Sequence, residues 1–274
     1  MNGIRLEKHL KRLKEFNTSR KEKSLVKLEI AYNEWLIEKN HIKKIARRNH
    51  IADTHLTNFI KSKGHRLETF NINAFDSIDN EEKAYWLGFL FADGYISRDF
   101  RSELSLQKGD KNHLVKFSNF LDCKRPVAED HFRCRTSFGN KHFVTTLINL
   151  GCVPNKSLVI KFPQIPIELY KHFIRGYFDG DGSITISEKG DLFFNQAILA
   201  SGSKDFMDSF LIIYKNYVNS EYEQNVYKSK SSNIYILTFK GKFFYNLMDW
   251  LYKDSTIYLD RKYRRYQNAM LAVM

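Results

Sequence analysis

The chain has 274 residues, of which 43% are apolar, so it can bury a substantial core in one large domain or two. Its formal net charge of +13 indicates a polyanionic partner, which is either nucleic acid or a membrane surface. No apolar stretch approaches the roughly 20 residues that cross a bilayer, and no signal peptide is recognisable, so we expect a cytoplasmic protein without membrane contact.

Basic residues are concentrated in the N-terminal quarter of the chain. Residues 1–67 contain 17 Lys and Arg against 7 Asp and Glu, a net charge of 17 − 7 = +10, whereas the remaining residues contain 27 against 24, or +3. Residues 1–23 are predicted to form a basic amphipathic helix. Its apolar stripe would consist of Ile4, Leu6, Leu10, Leu13 and Phe16.

Residues 24–67 are predicted to form a helix-turn-helix module of three short helices. Apolar residues at helical spacing indicate the core of this module. They are Leu25, Leu28, Tyr32, Trp35 and Leu36, then Ile42, Ile45 and Ala46, then Leu56, Phe59 and Ile60. Asn49 and His50 favour a tight turn before the third helix, and Asp53 is the expected N-cap of that helix.

The third helix of this module presents short polar side chains on its outward face. The candidates for DNA contact are His55, Thr57, Asn58 and Lys61. Side chains of these kinds reach base edges and phosphates when a recognition helix enters the major groove. We therefore expect this helix to bind DNA, although a small packing module without DNA contacts would have the same apolar pattern.

After a predicted linker over residues 68–78, the chain contains a diverged internal repeat. The sequence YWLGFLFADGYI at residues 85–96 matches FIRGYFDGDGSI at residues 173–184, at an offset of 181 − 93 = 88 residues. Each copy starts as an apolar helix and ends in Asp-Gly followed by an alternating strand. The predicted halves are residues 79–162 and 163–274, and Asp79 and Glu82 form a predicted capping box for the first helix.

Each half continues in the predicted order strand, strand, helix, strand, strand, helix. Leu104 and Leu106 alternate with polar residues in the first half, and the same alternation is found over Phe132, Cys134, Thr136 and Phe138. Such alternation predicts antiparallel sheets with one apolar face under helices and one basic face. The predicted fold is α+β, with two pseudosymmetric αββαββα units. Their saddle-shaped sheets would contact DNA through basic residues that include Arg133, Arg135, Lys228 and Lys230.

Small residues four positions apart line both repeated helices. They are Gly88 and Ala92 in the first copy, and Gly176 and Gly180 in the second. Such stripes allow two helices to approach closely, which would bring Asp93 and Asp181 together at the helix ends. A single Asp-Gly would be interpreted as a helix end, but here it occurs twice in matching context. Two carboxylates from separate elements form an oxygen-rich site that suits Mg²⁺ and phosphodiester hydrolysis.

Both Asp-Gly segments resemble the LAGLIDADG motif of homing endonucleases. The resemblance extends over residues 75–266 through the phrases ELSLQK (103–108), PNKS (154–157) and YLDRKY (258–263). It implies a monomeric enzyme in which the motif helices form the interface between two halves. The implied activity is Mg²⁺-dependent cleavage of both strands of a long DNA site across the minor groove, with Mn²⁺ tolerated in place of Mg²⁺.

The resemblance also assigns roles to individual residues. Asp93 and Asp181 would bind the metal ions, with the backbone carbonyls of Ala92 and Gly180 as further ligands. Other catalytic candidates would orient water or neutralise charge beside the scissile phosphates. They are Gln107, Lys108, Lys156 and Lys262. Each lysine taken alone could equally make an ordinary phosphate or solvent contact.

The two halves differ at one place where this chemistry is expected. Alignment of LQKG (106–109) with LASG (199–202) puts Ala200 and Ser201 where the first copy has Gln107 and Lys108. We therefore expect two chemically unequal half-sites, with one DNA strand cut more slowly than the other.

Other interpretations are weighed against the endonuclease. A DNA-binding regulator without catalysis is disfavoured because both aspartates are retained, whereas an RNA maturase that binds intron RNA stays open. A self-splicing intein is not expected, because the ends of the sequence lack its nucleophile and terminal Asn. The three cysteines are expected to be reduced and buried, and a zinc site formed with His131 is the less favoured alternative. We expect a bacterial or phage-encoded, nucleoid-associated protein of a mobile intron.

Overall fold

The computed structural model describes residues 2–38, 42–65, 67, 69–189, 192–230 and 232–271, with side chains described in these ranges except at 2–17, 187–189 and 192–194. The chain divides into two compact units, Met1–Glu68 and Thr69–Met274. Buried apolar residues form one cluster in each unit. Each unit therefore has its own core.

Three helices form the first unit: α1 (Asn2–Glu38), α2 (Ile42–Arg48) and α3 (Asp53–Ser62). Their buried core consists of Ala31, Trp35, Ile45, Ala46, Leu56 and Ile60. Because no Gly or Pro interrupts residues 4–38, α1 is one continuous helix, and the predicted change of element near residue 23 is wrong. The apolar stripe predicted within residues 4–16 falls outside the side chains that the structure describes.

The helices of the first unit begin and pack slightly differently from the prediction. Leu25 and Leu36, which were expected in the core, are exposed on α1. His50 rather than Asn49 takes the left-handed backbone of the turn, with φ of 53°. Asp53 is the first residue of α3 rather than its N-cap, because Ala52 occupies the cap position.

The second unit repeats one order of helices and strands. Its first half contains α4 (Glu81–Asp93), β1 (Gly94–Ile96), β2 (Arg101–Gln107), α5 (Lys111–Phe120), β3 (Ala128–Glu129), β4 (Arg133–Gly139) and α6 (Lys141–Asn149). Its second half contains α7 (Tyr170–Asp181), β5 (Ser183–Lys189), β6 (Leu192–Ser201), α8 (Lys204–Tyr217), β7 (Tyr227–Lys228), β8 (Tyr235–Lys240), α9 (Lys242–Tyr252) and α10 (Asp260–Leu271). The predicted pair of αββαββα units is confirmed.

Each half contains one four-stranded antiparallel sheet, in the order β1-β2-β4-β3 or β5-β6-β8-β7. In β2 the buried residues Leu104 and Leu106 alternate with more exposed polar residues, as the sequence predicts. In β4, Cys134 and Phe138 are buried while Arg133 and Arg135 are exposed. The alternation therefore sets an apolar face against a basic one.

The predictions for the residues just outside these helices and strands were less accurate. Phe132 lies before β4 and is 84% exposed, so its assignment to the apolar face is wrong. The segment predicted as a linker packs into the core instead, with the rings of Phe70 and Phe138 centred 5.0 Å apart. Asn80, not Asp79, caps α4 by accepting a hydrogen bond from the backbone N–H of Lys83. Among the described residues, no helix is long and apolar enough to cross a membrane.

Candidate active site

The two repeated helices, α4 and α7, pack against each other with almost no space between their backbones. A methyl group added at Gly88 would overlap the carbonyl oxygen of Phe173, and one added at Gly176 would overlap the carbonyl oxygen of Tyr85. These two contacts are equivalent by the repeat, since each glycine faces the residue three positions before the other glycine. The close approach predicted from the small-residue stripes is therefore present, and glycine is required at both crossing points.

This packing brings the C-terminal ends of the two helices together. Asp93 is the last residue of α4, and Asp181 is the last residue of α7. A methyl group added at Gly180 would overlap the Cβ of Ala92 and lie 3.3 Å from Oδ2 of Asp93. The carboxylate of Asp93 therefore lies against the end of the opposite helix, next to Asp181.

The protein environment destabilises the charged form of both carboxylates. Loss of hydration, followed by the nearby charge of Asp181, raises the pKa of Asp93 to about 6. Loss of hydration also raises the pKa of Asp181, although Lys156 and Lys262 act in the opposite direction. Two like charges held together in this way attract a cation.

Two lysines, Lys156 and Lys262, bind the helix ends in a matching manner. The ammonium group of Lys156 donates a hydrogen bond to the carbonyl oxygen of Gly94, just after α4. The ammonium group of Lys262 donates to the equivalent carbonyl oxygen of Gly182, just after α7. A cation at a helix C-terminus compensates the partial negative charge of the last carbonyl groups. The correspondence between these lysines that the sequence predicts is thus present in the structure.

Lys262 is more deeply buried than Lys156 and makes more hydrogen bonds. It is 2% exposed, and its ammonium group also donates to the carbonyl oxygens of Phe178 at 2.5 Å and Gly180 at 3.4 Å. With Gly182, these carbonyls match the three N–H donors of the ammonium group. Burial lowers the pKa of Lys262 to about 8. This lysine therefore organises the end of α7, while the half-buried Lys156 is the more accessible cation.

A buried carboxylate, Asp179, holds Lys262 in place from behind. Asp179 accepts hydrogen bonds from the hydroxyl groups of Tyr85 at 2.7 Å and Tyr252 at 2.6 Å. It also accepts one at 2.7 Å from the backbone N–H of Leu259, immediately before α10. Because α10 carries Lys262, Asp179 fixes the start of the helix that delivers the lysine. Sequence reasoning missed this role, although Asp179 stands in the repeat where the first copy has Phe91.

Arg261 and Asp110 also belong to the site and were missed from the sequence. The charge of Arg261, like the charges of Lys262 and Lys156, lowers the pKa of Asp93. Its Nε donates to Oδ2 of Asp110 at 2.9 Å, and Nε2 of Gln107 donates to the same oxygen at 3.0 Å. The one available signal was the position of Arg261 beside Lys262 in the phrase YLDRKY.

Lys108 lies apart from these groups. It is exposed at the start of a short 3-10 helix, Lys108–Asp110. The pKa of Glu129 is lowered mainly by its hydrogen bond with Lys111, and the charge of Lys108 adds to this effect. The cations that act on Asp93 are Lys262, Lys156 and Arg261. Gln107 reaches the site through Asp110, whereas the described contacts of Lys108 do not connect it to the aspartates.

The corresponding strand end in the second half is chemically different. Asp110 directly precedes α5 and Ser203 directly precedes α8, so Ala200 and Ser201 stand where the first half has Gln107 and Lys108. Ser201 is buried, and its hydroxyl oxygen accepts a hydrogen bond from the backbone N–H of Ser203. This strand end therefore presents neither an amide nor an ammonium group.

The remaining candidates for DNA contact lie on exposed surfaces. Arg133 and Arg135 are exposed on β4, Lys228 is exposed on β7, and Lys230 is exposed just after that strand. In the first unit, His55, Asn58 and Lys61 are exposed on α3, but Thr57 is half-buried. Lys63, close to this surface, forms an ion pair with Glu29 at 2.8 Å.

The donor set for a metal ion is small and consists of oxygen atoms. Among the described residues, no three or more His, Cys, Asp and Glu side chains form a group that could hold a metal ion. The cysteines are buried and unpaired, which agrees with the prediction of reduced thiols. A metal ion would therefore use the carboxylates of Asp93 and Asp181. The carbonyl oxygen of Gly180 already accepts a hydrogen bond from Lys262, which leaves that of Ala92 as the less engaged backbone candidate.

Residues 168–249 match the family model of the LAGLIDADG-like domain. Two curated proteins of Methanocaldococcus jannaschii are similar to part of the chain. Its probable translation initiation factor IF-2 is 29% identical over 175 residues, which are 60% of this chain and 14% of that protein. Its replication factor C small subunit is 27% identical over 159 residues, which are 54% of this chain and 8% of that protein. The chain thus spans only a small part of the length of these relatives.

Solved structures of similar fold include the I-LtrWI LAGLIDADG homing endonuclease bound to target DNA. It is 13% identical, with a TM-score of 0.48, and the match covers 74% of this chain and 91% of that chain. The LAGLIDADG meganuclease I-AabMI bound to uncleaved DNA is 11% identical, with a TM-score of 0.46, and the match covers 71% and 91%.

Proposed function

We propose that the chain is a LAGLIDADG homing endonuclease that hydrolyses both strands of a long double-stranded DNA site with a divalent metal ion, and the match of residues 168–249 to the LAGLIDADG-like domain supports this. The observation that carries this proposal is the juxtaposition of Asp93 and Asp181 at the ends of two closely packed helices. A structural role alone does not account for it, because each charge raises the free energy of the metal-free fold. A site that binds a cation does account for it.

Mg²⁺ is the proposed ion, and Mn²⁺ is its proposed substitute, because the donors are hard carboxylate oxygens and LAGLIDADG endonucleases generally use divalent metal ions. When bound, such an ion activates water and neutralises charge on the phosphate. Asp93 and Asp181 would hold it, and Lys262 keeps the end of α7 in place beside them. Lys156 supplies the accessible positive charge next to the carboxylates, where a phosphate would lie.

The proposed partner is duplex DNA, bound by one copy of the chain. The polar face of the first sheet carries Arg133 and Arg135, and Lys228 and Lys230 lie at the edge strand of the second sheet. We also propose that the first unit is a helix-turn-helix module whose α3 enters the major groove with His55 and Asn58. Lys61 would contact phosphate, and the half-buried Thr57 would support the helix rather than read bases.

The proposal is tested by selecting duplexes that the full chain retains from a randomised library in the absence of Mg²⁺. The enriched duplex is then incubated with Mg²⁺ or with EDTA. We expect cleavage of both strands at one position in Mg²⁺ and none in EDTA. Retention without cleavage in either Mg²⁺ or Mn²⁺ would instead support a binding-only regulator, and preference for a folded intron RNA over every duplex would support a maturase.

Replacement of Lys156 is expected to slow cleavage more than replacement of Lys108. Lys156→Met removes a cation that acts on Asp93, so we expect a loss of about 100-fold in the single-turnover rate, as for a preorganised electrostatic group. Lys108→Met serves as the matched control, because it removes an exposed charge that acts on Glu129. A larger loss in Lys108→Met than in Lys156→Met would reverse this assignment.

Removal of residues 1–67 is expected to weaken DNA binding without destroying the fold of the second unit. The removed part has its own buried core and a net charge of 17 − 7 = +10. We expect a shorter footprint and a shallower dependence of log Kd on log salt, because fewer phosphates are neutralised. Circular dichroism of the truncated chain is the control for folding. An unchanged footprint and salt slope would show that this unit makes no DNA contact.

A further inference from the structure

Asp110 occupies a capping position that it does not use for capping. It directly precedes α5, but its side chain accepts no hydrogen bond from the first turn of that helix. Asn80, Asn140 and Ser203 stand at the same position before other helices, and each side chain accepts a backbone N–H. Asp110 ends the 3-10 turn Lys108–Asp110 with φ of −99° and ψ of 13°, whereas those three residues have the extended backbone of a cap. The Asp110 carboxylate is therefore available for other contacts.

Those contacts join two distant parts of the chain at a single oxygen atom. Oδ2 of Asp110 accepts Nε2 of Gln107 at 3.0 Å and Nε of Arg261 at 2.9 Å. Asp110 is 8% exposed, whereas the side chains of Gln107 and Arg261 reach the surface. The three residues line a cleft of about 280 Å³ together with Leu259 and Arg264. A buried acceptor thus holds two exposed donor groups.

The hydrogen-bond chemistry of Asp110 determines what those two groups offer to a ligand. A carboxylate accepts hydrogen bonds and donates none, so the amide of Gln107 must direct its NH₂ group towards Asp110. Its carbonyl oxygen Oε1 then points away as a free acceptor for a proton of water. Arg261 uses Nε for Asp110, which leaves Nη1 and Nη2 to form the two parallel hydrogen bonds that a phosphate accepts.

The second half of the unit lacks this arrangement. Ser203 stands where Asp110 stands, and its hydroxyl group accepts the backbone N–H of Phe206 and donates to the carbonyl oxygen of Ile160 at 2.6 Å. The position of Gln107 is occupied by Ala200. The serine therefore caps α8, whereas Asp110 caps no helix.

We propose that Asp110 is a positioning residue of the first half-site, which turns Oε1 of Gln107 towards the attacking water and the free edge of Arg261 towards one scissile phosphate. This inference rests on the proposed endonuclease function and assigns roles to Asp110 and Arg261 in addition to the paired aspartates. Because the second half has no equivalent, the effect of Asp110 is confined to one of the two DNA strands.

The test is Asp110→Ser, which installs the residue of the second half. Serine keeps a small polar group at this position, so we expect the melting temperature to stay within about 4 °C of the wild type. The strand served by the first half should be cut about 10-fold to 100-fold more slowly, the range expected when reacting groups lose their alignment. The other strand should be cut at the wild-type rate, and the Kd for the selected duplex should be unchanged. Single-turnover cleavage with both strands end-labelled gives the two strand rates.

Ser203→Ala is the matched control, since it removes a cap without touching Gln107 or Arg261. It should lower the melting temperature and leave the ratio of the two strand rates as in the wild type. In a Gln107→Ala, Arg261→Ala background, Asp110→Ser should cause no further slowing, because Asp110 acts only through those residues. Should Asp110→Ser fold poorly, Asp110→Leu keeps the approximate size of the side chain without any acceptor, and it is expected to give the same strand ratio as Asp110→Ser.

Equal slowing of both strands, or no slowing of either, would overturn the role of Asp110 while leaving the endonuclease proposal intact. An absence of cleavage by the wild-type chain on the duplex it selects would instead overturn the proposed function.

Discussion

Asp93→Asn or Asp181→Asn is expected to reduce cleavage of both strands by at least about 1000-fold, while the Kd for the selected duplex changes by less than about threefold. Each substitution removes one negative charge and one proposed ligand from a site in which, among the described residues, two carboxylates meet, but it alters little surface that DNA could contact. The measurement is single-turnover cleavage under conditions in which all the DNA is bound. Full activity in either variant would place the chemistry elsewhere.

The Asp93 variant should also be more stable than the wild type when no metal is present. The folded-state pKa of Asp93, about 6, is above its ordinary value, so the fold favours the protonated form. The resulting loss of stability develops as pH rises through about 4 to 6 and is complete above pH 6. We expect Asp93→Asn to raise the free energy of unfolding by roughly 1–2 kcal/mol at pH 8, after allowance for the exposed part of the side chain.

That gain in stability should disappear below about pH 4, where the protonated Asp93 of the wild type is as neutral as the Asn of the variant. At pH 8, Mg²⁺ should raise the melting temperature of the wild type and leave that of Asp93→Asn unchanged, because an ion that binds only the folded state stabilises that state. A wild type that is already the more stable protein at pH 8 without metal would contradict the crowding of the two carboxylates.

Gly88→Ala or Gly176→Ala is expected to lower the free energy of unfolding by about 3 kcal/mol or more, since overpacking against backbone leaves no flexible side chain to move. The added methyl group overlaps the carbonyl oxygen of Phe173 in one case and of Tyr85 in the other, so α4 and α7 must separate. Urea unfolding followed by circular dichroism measures the change.

Gly109→Ala is the control for this experiment, because a methyl group there would meet no atom within 4 Å and the backbone is not left-handed. Its effect should lie within about 0.5 kcal/mol of the wild type. Equal stability of Gly88→Ala and Gly109→Ala would show that the two helices do not approach as closely as the structure has them.

Features that depend on short-range patterns could be predicted from the sequence. The repeat at an offset of 88 residues correctly predicted the two helices that end at Asp93 and Asp181, because an apolar helix followed by Asp-Gly is recognisable from adjacent residues. The alternation in β2 gave the buried face of the first sheet correctly for the same reason. The stripes of small residues indicated the close helix packing because they leave room for a neighbouring backbone.

Features that depend on contacts between distant residues could not be predicted. Asp110 and Arg261 are 151 residues apart, and no local pattern marks a hydrogen bond between them. Asp179 was assigned no role because an Asp in an otherwise apolar helix reveals nothing of the two tyrosines and the backbone N–H that surround it. The sequence made Lys262 and Lys156 equivalent catalytic candidates, and only the burial of Lys262 among carbonyl groups at the end of α7 distinguishes the two.

Errors at element boundaries have a similar cause. Asp79 and Asn80 are both good capping residues, and Asn80 is the cap because α4 begins at Glu81. Residues 69–78 are rich in polar side chains, which predicted a linker, yet Phe70 and Phe75 provide enough apolar surface to join the core. A few well-placed aromatic residues therefore outweigh the average composition of a segment.

The central claim, that Asp93 and Asp181 together cut duplex DNA, is tested most directly by one comparison on the selected duplex with both strands end-labelled. The wild type and the Asp93→Asn, Asp181→Asn double variant are measured in Mg²⁺ at equal fractions of bound DNA. We predict that the wild type cuts both strands at one position, and that the double variant binds this duplex equally well and cuts neither strand. Cleavage at the same position by the double variant would contradict the claim.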